Sequence, residues 1–219
     1  KRQRVEWDSR TEAVRAVSER RLGALLVSET PLAVDGPADA GNLTGRVTEA
    51  MGEGIRRMGL ACLPWNDEAS SLRDRVRAVR AWHLEAGWPS MEDSVLLDEL
   101  IDWLGPFLVG VVRRAHLKDV DLASALKGRI GWERLTELDD LAPTHVEVPS
   151  GRRVRLQYDT DKPPVLAVRL QEMFGLQTTP CVGGGTVPVM VHLLSPAGRP
   201  VQVTGDLAGF WRSTYAEVR

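Results

Sequence analysis

The chain has 219 residues, of which 43% are hydrophobic and 26% are charged, and its net charge at pH 7 is −2. This composition is ordinary for a globular protein with one core or two small ones. The overall charge gives no reason to expect nucleic-acid binding, although a local arginine cluster can still bind phosphates. The longest apolar run, FLVGVV at 107–112, is too short to span a membrane, and no signal peptide is visible.

The two cysteines and the two ends of the chain carry further information. Cys62 and Cys181 are far apart and form no CxxC motif, so we expect a reducing compartment, the cytoplasm, in which each is a small buried hydrophobic residue. The chain starts at Lys1 without methionine and stops at Arg219 within a helical pattern. We therefore expect it to be part of a longer polypeptide.

Residues 1–34 show strand-like patterns. Val5 and Trp7 alternate with charged neighbours, and LGALLVSETPL is an apolar run ended by Pro31. The intervening TEAVRAVSERRL fits a helix as well as a strand, and both alternatives stay open. The segment VDGPADAG at 34–41 has the composition of a linker, so we assign a strand-rich segment to residues 1–36.

From Asn42 the apolar residues repeat at helical spacing, and Gly59 suits the end of this first helix. Asn66 is the predicted N-cap of a second helix, which ends before Gly87. Its apolar stripe consists of Leu72, Val76, Val79 and His83.

A third helix is predicted from the capping-box spacing of Ser90 and Asp93, and Pro106 limits it. Two shorter helices are predicted near 121–127 and 133–141. Together these elements predict a helical block over residues 37–142.

Residues 143–219 are predicted to form a small mixed domain, which makes the chain as a whole α+β. THVEVPSGRRVRLQY and VPVMVHLLSPAGRPVQVT alternate around turn residues and predict two β-hairpins, the second with a central first strand. PPVLAVRLQEMFG is predicted to be a short helix, with Pro164 in its first turn. A second helix follows Asp206 as its cap, with Leu207, Phe210, Trp211 and Val218 facing inward.

Three consecutive glycines, Gly183–Gly185, suggest a phosphate-binding loop at first sight. A P-loop needs a lysine after the glycines and then a helix whose N-terminus meets the phosphate. Here the sequence continues as TVPVMVHLL, a strand pattern without lysine. We therefore interpret these glycines as a structural connector into a buried strand.

Other templates for catalysis or metal binding are also missing from the sequence. It contains no HExxH, GxSxG or HxE with CxxC, and its four histidines stand singly: His83, His116, His145 and His192. The sequence thus predicts no catalytic residue and no metal ligand.

Several long segments carry a resemblance to a known family. LAPTHVEVPSGRRVRLQYD, PPVLAVRLQEMFGLQTTP, VPVMVHLLSPAGRPVQVTGDLAGFW and YAEVR resemble the C-terminal region of the HrpB family of bacterial DEAH-box ATP-dependent helicases. Earlier segments, among them VEWD, RRLGALLVSE, GLACLPWN and LLDELIDWLGPFL, resemble the part that precedes it. The similarity follows the same order over nearly the whole chain.

This resemblance implies a region of a helicase that does not itself contain the ATPase motor. In the family, the P-loop, the DEAH motif and the arginine finger lie in two RecA-like domains, and none of these motifs occurs in this sequence. The resemblance therefore implies ATP and Mg as cofactors of the parent helicase but no cofactor for this fragment. The implied partners are the motor domains of the same polypeptide, with RNA or single-stranded DNA as the candidate ligand and no membrane.

The resemblance also bears on the first strands. It implies that residues 1–34 are the last strands of a small β-barrel-like accessory domain that follows the helicase core. We then expect them to be separated from their natural partner strands, which leaves them poorly ordered or unnaturally paired.

Three basic groups are candidates for nucleic-acid contacts. Arg152, Arg153 and Arg155 cluster on the first hairpin with no nearby acid, and Arg153 and Arg155 share the face opposite Val154. We interpret KRQR at 1–4 as a disordered solvated end. A structural role is favoured for the arginines of the second helix, which are Arg73, Arg77 and Arg80.

Two function classes follow. The first is a non-catalytic accessory domain of an HrpB-like helicase that packs on the motor and contacts single-stranded nucleic acid through Arg152, Arg153 and Arg155. The alternative is a protein-interaction or scaffold module with little affinity for nucleic acid. An exposed apolar patch would favour that second class.

Overall fold

The computed structural model describes residues 2–22, 25–32 and 40–214 of the chain. Within these residues the strands are β1 (Arg2–Asp8), β2 (Ala13–Leu22), β3 (Leu25–Pro31), β4 (His145–Glu147), β5 (Arg153–Asp159), β6 (Lys162–Arg169), β7 (Cys181–Val182), β8 (Val187–Pro188), β9 (Met190–Leu194) and β10 (Pro200–Thr204). The α-helices are α1 (Ala40–Met58), α2 (Asp67–Trp82), α3 (Asp93–Asp98), α4 (Leu100–Leu104), α5 (Leu122–Ile130), α6 (Trp132–Leu141) and α7 (Leu207–Gly209). This mixture confirms the predicted α+β class.

Contacts between residues divide the chain into two compact units. The first comprises residues 1–69 and 91–129, and the second comprises residues 70–90 and 130–219. The three-part division at residues 36 and 142 stays a prediction. Its first boundary and most of the predicted linker at 34–41 lie outside the described residues. No helix in the described part of the chain is long and apolar enough to cross a membrane.

The first unit contains a three-stranded antiparallel sheet in the order β1-β2-β3. TEAVRAVSERRL is therefore a strand and not a helix, because burial of Val14 and Ala16 beside exposed Arg15 follows the period of two that a half-buried strand requires. The prediction that KRQR is a disordered end is wrong for Arg2–Arg4, which belong to β1 and pair with Val17–Glu19 of β2. Lys1 lies outside the described residues.

Helix α1 confirms the helix predicted from Asn42 onward. Its buried residues Val47, Met51 and Ile55 recur at helical spacing, and Gly59 follows with a φ of 77°. The helix approaches β1 closely at Gly54, where an added Cβ would lie 2.5 Å from the ring of Trp7. Gly54 thus allows the buried indole of Trp7 to pack directly on the helix backbone.

The helix start predicted at Ser90 is wrong. Helix α3 begins at Asp93 and its N-cap is Glu92, whose extended backbone makes no side-chain capping bond. The side chain of Met91, two residues before the helix, is 1% exposed. The predicted single helix is also divided at Glu99 into α3 and α4, and α4 ends two residues before Pro106.

The second unit is built around a five-stranded sheet in the order β10-β9-β6-β5-β4. Strands β6 and β9 are parallel and the other neighbours are antiparallel, so both predicted hairpins, β4–β5 and β9–β10, are confirmed. Strand β9 has a neighbour on each side, as predicted. One face of the sheet covers a core whose members include Val154, Leu156, Leu166, Val168, Val191 and Leu193.

The helix predicted over PPVLAVRLQEMFG is wrong, since residues 162–169 form strand β6 and only Leu170–Met173 form a short 3₁₀ turn. Buried Leu166 and Val168 alternate with half-buried Val165 and Ala167, which is the period of a strand. The prolines were ambiguous, because proline suits the start of a strand as well as the first turn of a helix.

The glycine-rich segment is confirmed as a structural connector. Gly183, Gly184 and Gly185 have φ values of 60°, 67° and 86° and connect β7 to β8 as a tight hairpin. The Gly183 amide donates to the carbonyl oxygen of Leu141 at 2.7 Å, at the end of α6. Cys181 in β7 is exposed and Cys62 is half-buried, so the expectation that both are buried is wrong.

The last helix is short, and its predicted cap is confirmed. The Asp206 carboxylate accepts from the Gly209 amide at 2.9 Å, and Leu207 and Phe210 are buried. A π-helical turn at Phe210–Thr214 continues α7, and Trp211 donates from Nε1 to the Leu176 carbonyl at 2.7 Å. Val218 and the segment YAEVR lie outside the described residues.

Candidate nucleic-acid interface

The β4–β5 hairpin holds the predicted arginines on one rigid scaffold. Val146 pairs with Val154, and Val154 and Leu156 point into the core while Arg153 and Arg155 are exposed. The predicted shared face of Arg153 and Arg155 is therefore confirmed. Alternation along β5 places these two guanidinium groups on the same side of the sheet, away from the core.

The ends of this hairpin are fixed by hydrogen bonds. In the turn, the Val148 amide donates to the Arg152 carbonyl at 3.0 Å, and Gly151 adopts a φ of 79° that favours glycine. At the other end, the Tyr158 hydroxyl donates to the Pro143 carbonyl at 2.6 Å, and its ring contacts Trp82. Burial raises the pKa of Tyr158, so this hydroxyl stays a neutral donor at physiological pH.

The expectation that no acid lies near the three arginines is wrong. Arg152 donates from Nη1 to Glu172 Oε1 at 2.8 Å, and the Glu172 side chain is only 16% exposed. Glu147 lies directly opposite Arg153 in the strand register. The contact between Arg152 and Glu172 could not be predicted from the sequence, because Glu172 follows Arg152 by 20 residues. Strand β6 brings Glu172 back to the hairpin turn.

The three arginines consequently differ in their surroundings. Arg152 is held in an ion pair, Arg155 lies opposite His145, and Arg153 lies opposite Glu147. Among the described residues, Arg153 has neither a hydrogen bond nor an ion pair for its side chain. Arg153 is thus the guanidinium of this cluster that is most available to an external anion.

A fourth arginine on the same sheet escaped the sequence analysis. Arg169, the last residue of β6, is exposed and alternates with buried Val168. The pairing of β5 with β6 ends at Leu156 opposite Leu166, and Arg169 lies beyond it, opposite Leu194 of β9. The erroneous helix at 163–175 concealed Arg169, whereas reading VLAVR as a strand would have placed it on the exposed face.

Among the arginines of α2, Arg80 has a structural role, as expected, while the structural role expected of Arg73 and Arg77 stays a prediction. Arg80 donates to the Trp88 carbonyl, and the guanidinium of Arg134 lies 4.9 Å from the centre of the Trp88 ring. Arg75, which the sequence analysis did not single out, is the most buried arginine of α2 at 4% exposure. It donates to the carbonyls of Leu138 and Ala142 at the end of α6.

The described part of the chain holds no group of side chains arranged to bind a metal ion or a nucleotide. No three His, Cys, Asp or Glu side chains there lie close enough together to hold a metal ion. The Gly183 amide is directed to Leu141 and the glycines lead into β8, so they do not cradle a phosphate. The residues present therefore do not fit ATP or its Mg²⁺.

Comparison with known protein families gives two matches along the chain. Residues 103–219 match the family model described as ATP-dependent helicase C-terminal, which covers more than half of the chain. Residues 1–32 match the model described as ATP-dependent RNA helicase HrpB, connector region. Over 215 residues, or 98% of this chain, the sequence is 41% identical to the ATP-dependent RNA helicase HrpB of Escherichia coli strain K12.

Two solved structures have the same fold. The crystal structure of E. coli DExH-box NTPase HrpB matches with a TM-score of 0.80 and 41% identity, covering 99% of this chain and 26% of that one. The crystal structure of Escherichia coli DEAH/RHA helicase HrpB matches with a TM-score of 0.76 and 39% identity, covering 99% and 27%. The chain spans about a quarter of the length of these relatives. It belongs to the HrpB family of ATP-dependent helicases and corresponds to the C-terminal region of that family.

Proposed function

We propose that this chain is a non-catalytic accessory region of an ATP-dependent RNA helicase, and that its β4–β5 hairpin contacts the phosphate backbone of single-stranded RNA. The parent helicase supplies ATP and Mg²⁺ through motor domains of the same polypeptide, on which this region packs. The relative of 41% identity is named an ATP-dependent RNA helicase, which favours RNA as the nucleic acid.

The observation that carries the proposal is the exposed guanidinium of Arg153. It stands on a hairpin fixed by the core on one side and by the Tyr158–Pro143 hydrogen bond at its base. A guanidinium without an internal partner loses no existing ion pair when it binds a phosphate, and its planar fork matches two phosphate oxygens. Contacts of this kind position a strand without reading its sequence.

The test is fluorescence anisotropy of a labelled oligouridine titrated with the 219-residue chain at several salt concentrations. We expect Arg153→Ala to weaken binding and to reduce the slope of log K against log salt by about 0.7, the value for one phosphate contact on a single strand. Arg212→Ala is the matched control. Arg212 is exposed and follows Phe210, which packs in the core on the other side of the sheet.

Two outcomes would contradict the proposal. Wild-type chain that fails to bind at low salt would exclude a contact by the isolated region. Equal loss of affinity in Arg153→Ala and Arg212→Ala would show a diffuse charge effect and no site at the hairpin.

One observation favours the alternative, a protein-interaction module. Trp132, the first residue of α6, is 83% exposed, the largest fraction among the large apolar residues of the described chain. A single exposed indole is a common anchor in protein interfaces. If Trp132→Ala weakens association with the purified motor domains while RNA affinity is unchanged, then this residue serves docking and not RNA binding.

A further inference from the structure

The first unit contains an open groove of about 450 Å³ that the proposed function does not use. Three parts of the chain form it, namely the turn between β1 and β2, the segment after α1, and a 3₁₀ turn at Arg114–Asp119. Its lining residues are Glu12, Cys62, Pro64, Arg114, Ala115 and Lys118. A groove of this volume can hold a small ligand or one group of a larger one.

Hydrogen bonds fix the walls of this groove. The Arg114 amide donates to the Glu12 carbonyl at 2.9 Å, which ties the β1–β2 turn to the 3₁₀ turn across 102 positions of the sequence. In the segment after α1, Trp65 donates from Nε1 to the Leu60 carbonyl at 2.8 Å. The lining side chains are thus held near one another by the fold itself.

Glu12 has an unusual backbone conformation for its residue type. Its φ is 48°, and in the described part of the chain it is the one residue other than glycine with a positive φ. The Glu12 carboxylate accepts from Arg114 Nη1 at 2.7 Å. Strained backbone of this kind is concentrated at ligand sites and switch regions, and here it presents a carboxylate to a cation of the groove.

The charges that line the groove favour an anion. Arg114 and Lys118 supply positive charge, and the one lining carboxylate, Glu12, is already engaged by Arg114. Among the described residues the Lys118 ammonium has neither a hydrogen bond nor an ion pair. Burial raises the pKa of the Cys62 thiol, against the lowering effect of Arg114, so at neutral pH this lining group is uncharged and does not repel an anion.

The two cations come from a short basic segment, RRAHLK at 113–118. Arg113 is exposed next to Arg114, and in the described part of the chain its side chain has no hydrogen bond or ion pair. Asp119 follows Lys118 but does not line the groove. Positive charge therefore predominates on this side of the groove.

We propose that this groove binds a phosphate group through the Lys118 ammonium and the guanidinium of Arg114. The Glu12 carboxylate engages Nη1 of Arg114, and the other N–H groups of the guanidinium can donate to phosphate oxygens. Glu12 then competes with the phosphate for Arg114. The site goes beyond the proposed function, because the groove belongs to the first unit and the β4–β5 hairpin to the second. The phosphate can be a free ion, part of a small molecule or part of an RNA backbone, which all present the same acceptor oxygens.

The cysteines provide a local probe of occupancy. Cys62 lines the groove, whereas Cys181, the other cysteine of the chain, lies in β7 of the second unit. In a Cys181→Ser chain, the rate of alkylation by the neutral reagent iodoacetamide therefore reports on Cys62 alone. We expect inorganic phosphate at millimolar concentrations and constant ionic strength to slow this alkylation to a plateau. The matched control is a Cys62→Ser chain, in which phosphate should not change the rate at Cys181.

Charge variants in the Cys181→Ser chain test the two cations. Lys118→Ala should raise the phosphate concentration that gives half-protection roughly tenfold, the loss expected for one charged hydrogen bond. Glu12→Gln should lower that concentration, because it removes the carboxylate that competes for Arg114. Lys127→Ala is the matched control, since Lys127 is a lysine of the same unit that pairs with Glu68 and does not line the groove.

Oligouridine in the same assay distinguishes the sources of the phosphate. Protection of Cys62 by oligouridine at concentrations far below those of inorganic phosphate would assign the groove to an RNA backbone. Protection by inorganic phosphate without stronger protection by oligouridine would assign it to a free phosphate or a phosphorylated small molecule. Phosphate should protect Cys62 equally well in the Arg153→Ala chain, so this site can be tested whether or not the hairpin binds RNA.

Three outcomes would overturn the proposal. If neither inorganic phosphate nor oligouridine slows alkylation of Cys62, then the groove does not bind phosphate. Equal effects of Lys118→Ala and Lys127→Ala would show a diffuse charge effect and no site. Lys118→Ala should unfold at the same temperature as the wild type, and a clear drop would mean that Lys118 supports the fold and is not reserved for a ligand.

Discussion

The guanidinium of Arg75 donates from Nε to the carbonyl oxygen of Ala142 at 2.6 Å, across 67 positions of the sequence. The same side chain donates to the Leu138 carbonyl at 3.2 Å and pairs with Asp139. These carbonyls lie at the C-terminal end of α6, where the Leu138 carbonyl also accepts from the Ala142 amide and the Ala142 carbonyl, beyond the helix, accepts from Arg75. Arg75 thus caps α6 from a different helix.

We expect Arg75→Met to destabilise the chain by roughly 1–3 kcal/mol, because the buried Ala142 carbonyl loses its donor while the Leu138 carbonyl still accepts from the Ala142 amide. Urea unfolding followed by circular dichroism gives the free energy of unfolding. Asp139→Asn is the comparison. The Asp139 side chain is 72% exposed, so that variant should lose less than about 1 kcal/mol. Equal losses would show that the ion pair and not the capping is the main contribution.

The triple glycine offers a test with an internal control. An added Cβ at Gly183 would lie 2.8 Å from Val187 and 3.2 Å from Trp82, whereas no atom lies within 4 Å of one at Gly185. Both glycines have positive φ, so each alanine variant incurs a backbone cost of about 1–2 kcal/mol. Gly183→Ala should therefore have the lower unfolding temperature. If the two variants unfold together, the close packing at Gly183 is not important.

The cap of α2 is a further target. The Asn66 side-chain oxygen accepts from the Ala69 amide at 2.8 Å, as expected of an N-cap. Asn66→Ala should destabilise the chain by about 1 kcal/mol, and Asn66→Asp should cost much less because it keeps the acceptor. Chemical denaturation of both variants checks this, and a loss in Asn66→Asp as large as in Asn66→Ala would contradict it.

Asp74 makes stability depend on pH. Burial raises the pKa of this carboxyl above 3.8, against the lowering effect of Arg77 and Arg73. The folded state therefore binds the proton more tightly than the unfolded state, and stability falls as pH rises from 3.8 through the raised value. Asp74→Asn should be more stable than the wild type at neutral pH and lose this advantage below about pH 4.

The measurement is the free energy of unfolding of Asp74→Asn and the wild type across this pH range. Asp161→Asn is the control, because Asp161 is an exposed carboxyl in the β5–β6 turn. If Asp74→Asn alone loses stability at neutral pH, the attraction between the Asp74 carboxylate and Arg77 outweighs the cost of burying that carboxylate.

The Arg152–Glu172 ion pair predicts a gain of RNA affinity. Glu172→Gln removes a negative charge and releases the Arg152 guanidinium, so the variant should bind oligouridine more tightly than the wild type. Arg152→Ala should have a small effect in the wild type and a larger one in the Glu172→Gln background. Anisotropy titrations of the four chains measure this, and unchanged affinity in Glu172→Gln would exclude Arg152 from the interface.

The sequence patterns succeeded where the signal is local. The spacing of Val47, Met51 and Ile55 predicted α1, and Asn66 and Asp206 predicted caps because a capping side chain and its amide lie within three residues. The hairpins were predictable because their turns and alternation are contiguous. For the same reason the glycines before a strand could be recognised as a connector.

The errors concern features that depend on distant parts of the chain. Strand β6 is a strand because it lies between β5 and β9. The Arg152–Glu172 contact and the position of Arg169 both depend on β6. Half of the candidate interface therefore could not be predicted from the sequence, because it depends on β6 being a strand.

The capping of α6 by Arg75 also determines where the chain can be shortened. A polypeptide that starts after α2, such as residues 103–219 alone, would contain α6 and the whole five-stranded sheet but not Arg75 or Trp82. Its second unit would lack the segment 70–90, which is distant in sequence yet belongs to the same compact body. The C-terminal sheet thus shares its compact body with a segment that is synthesised well before its strands.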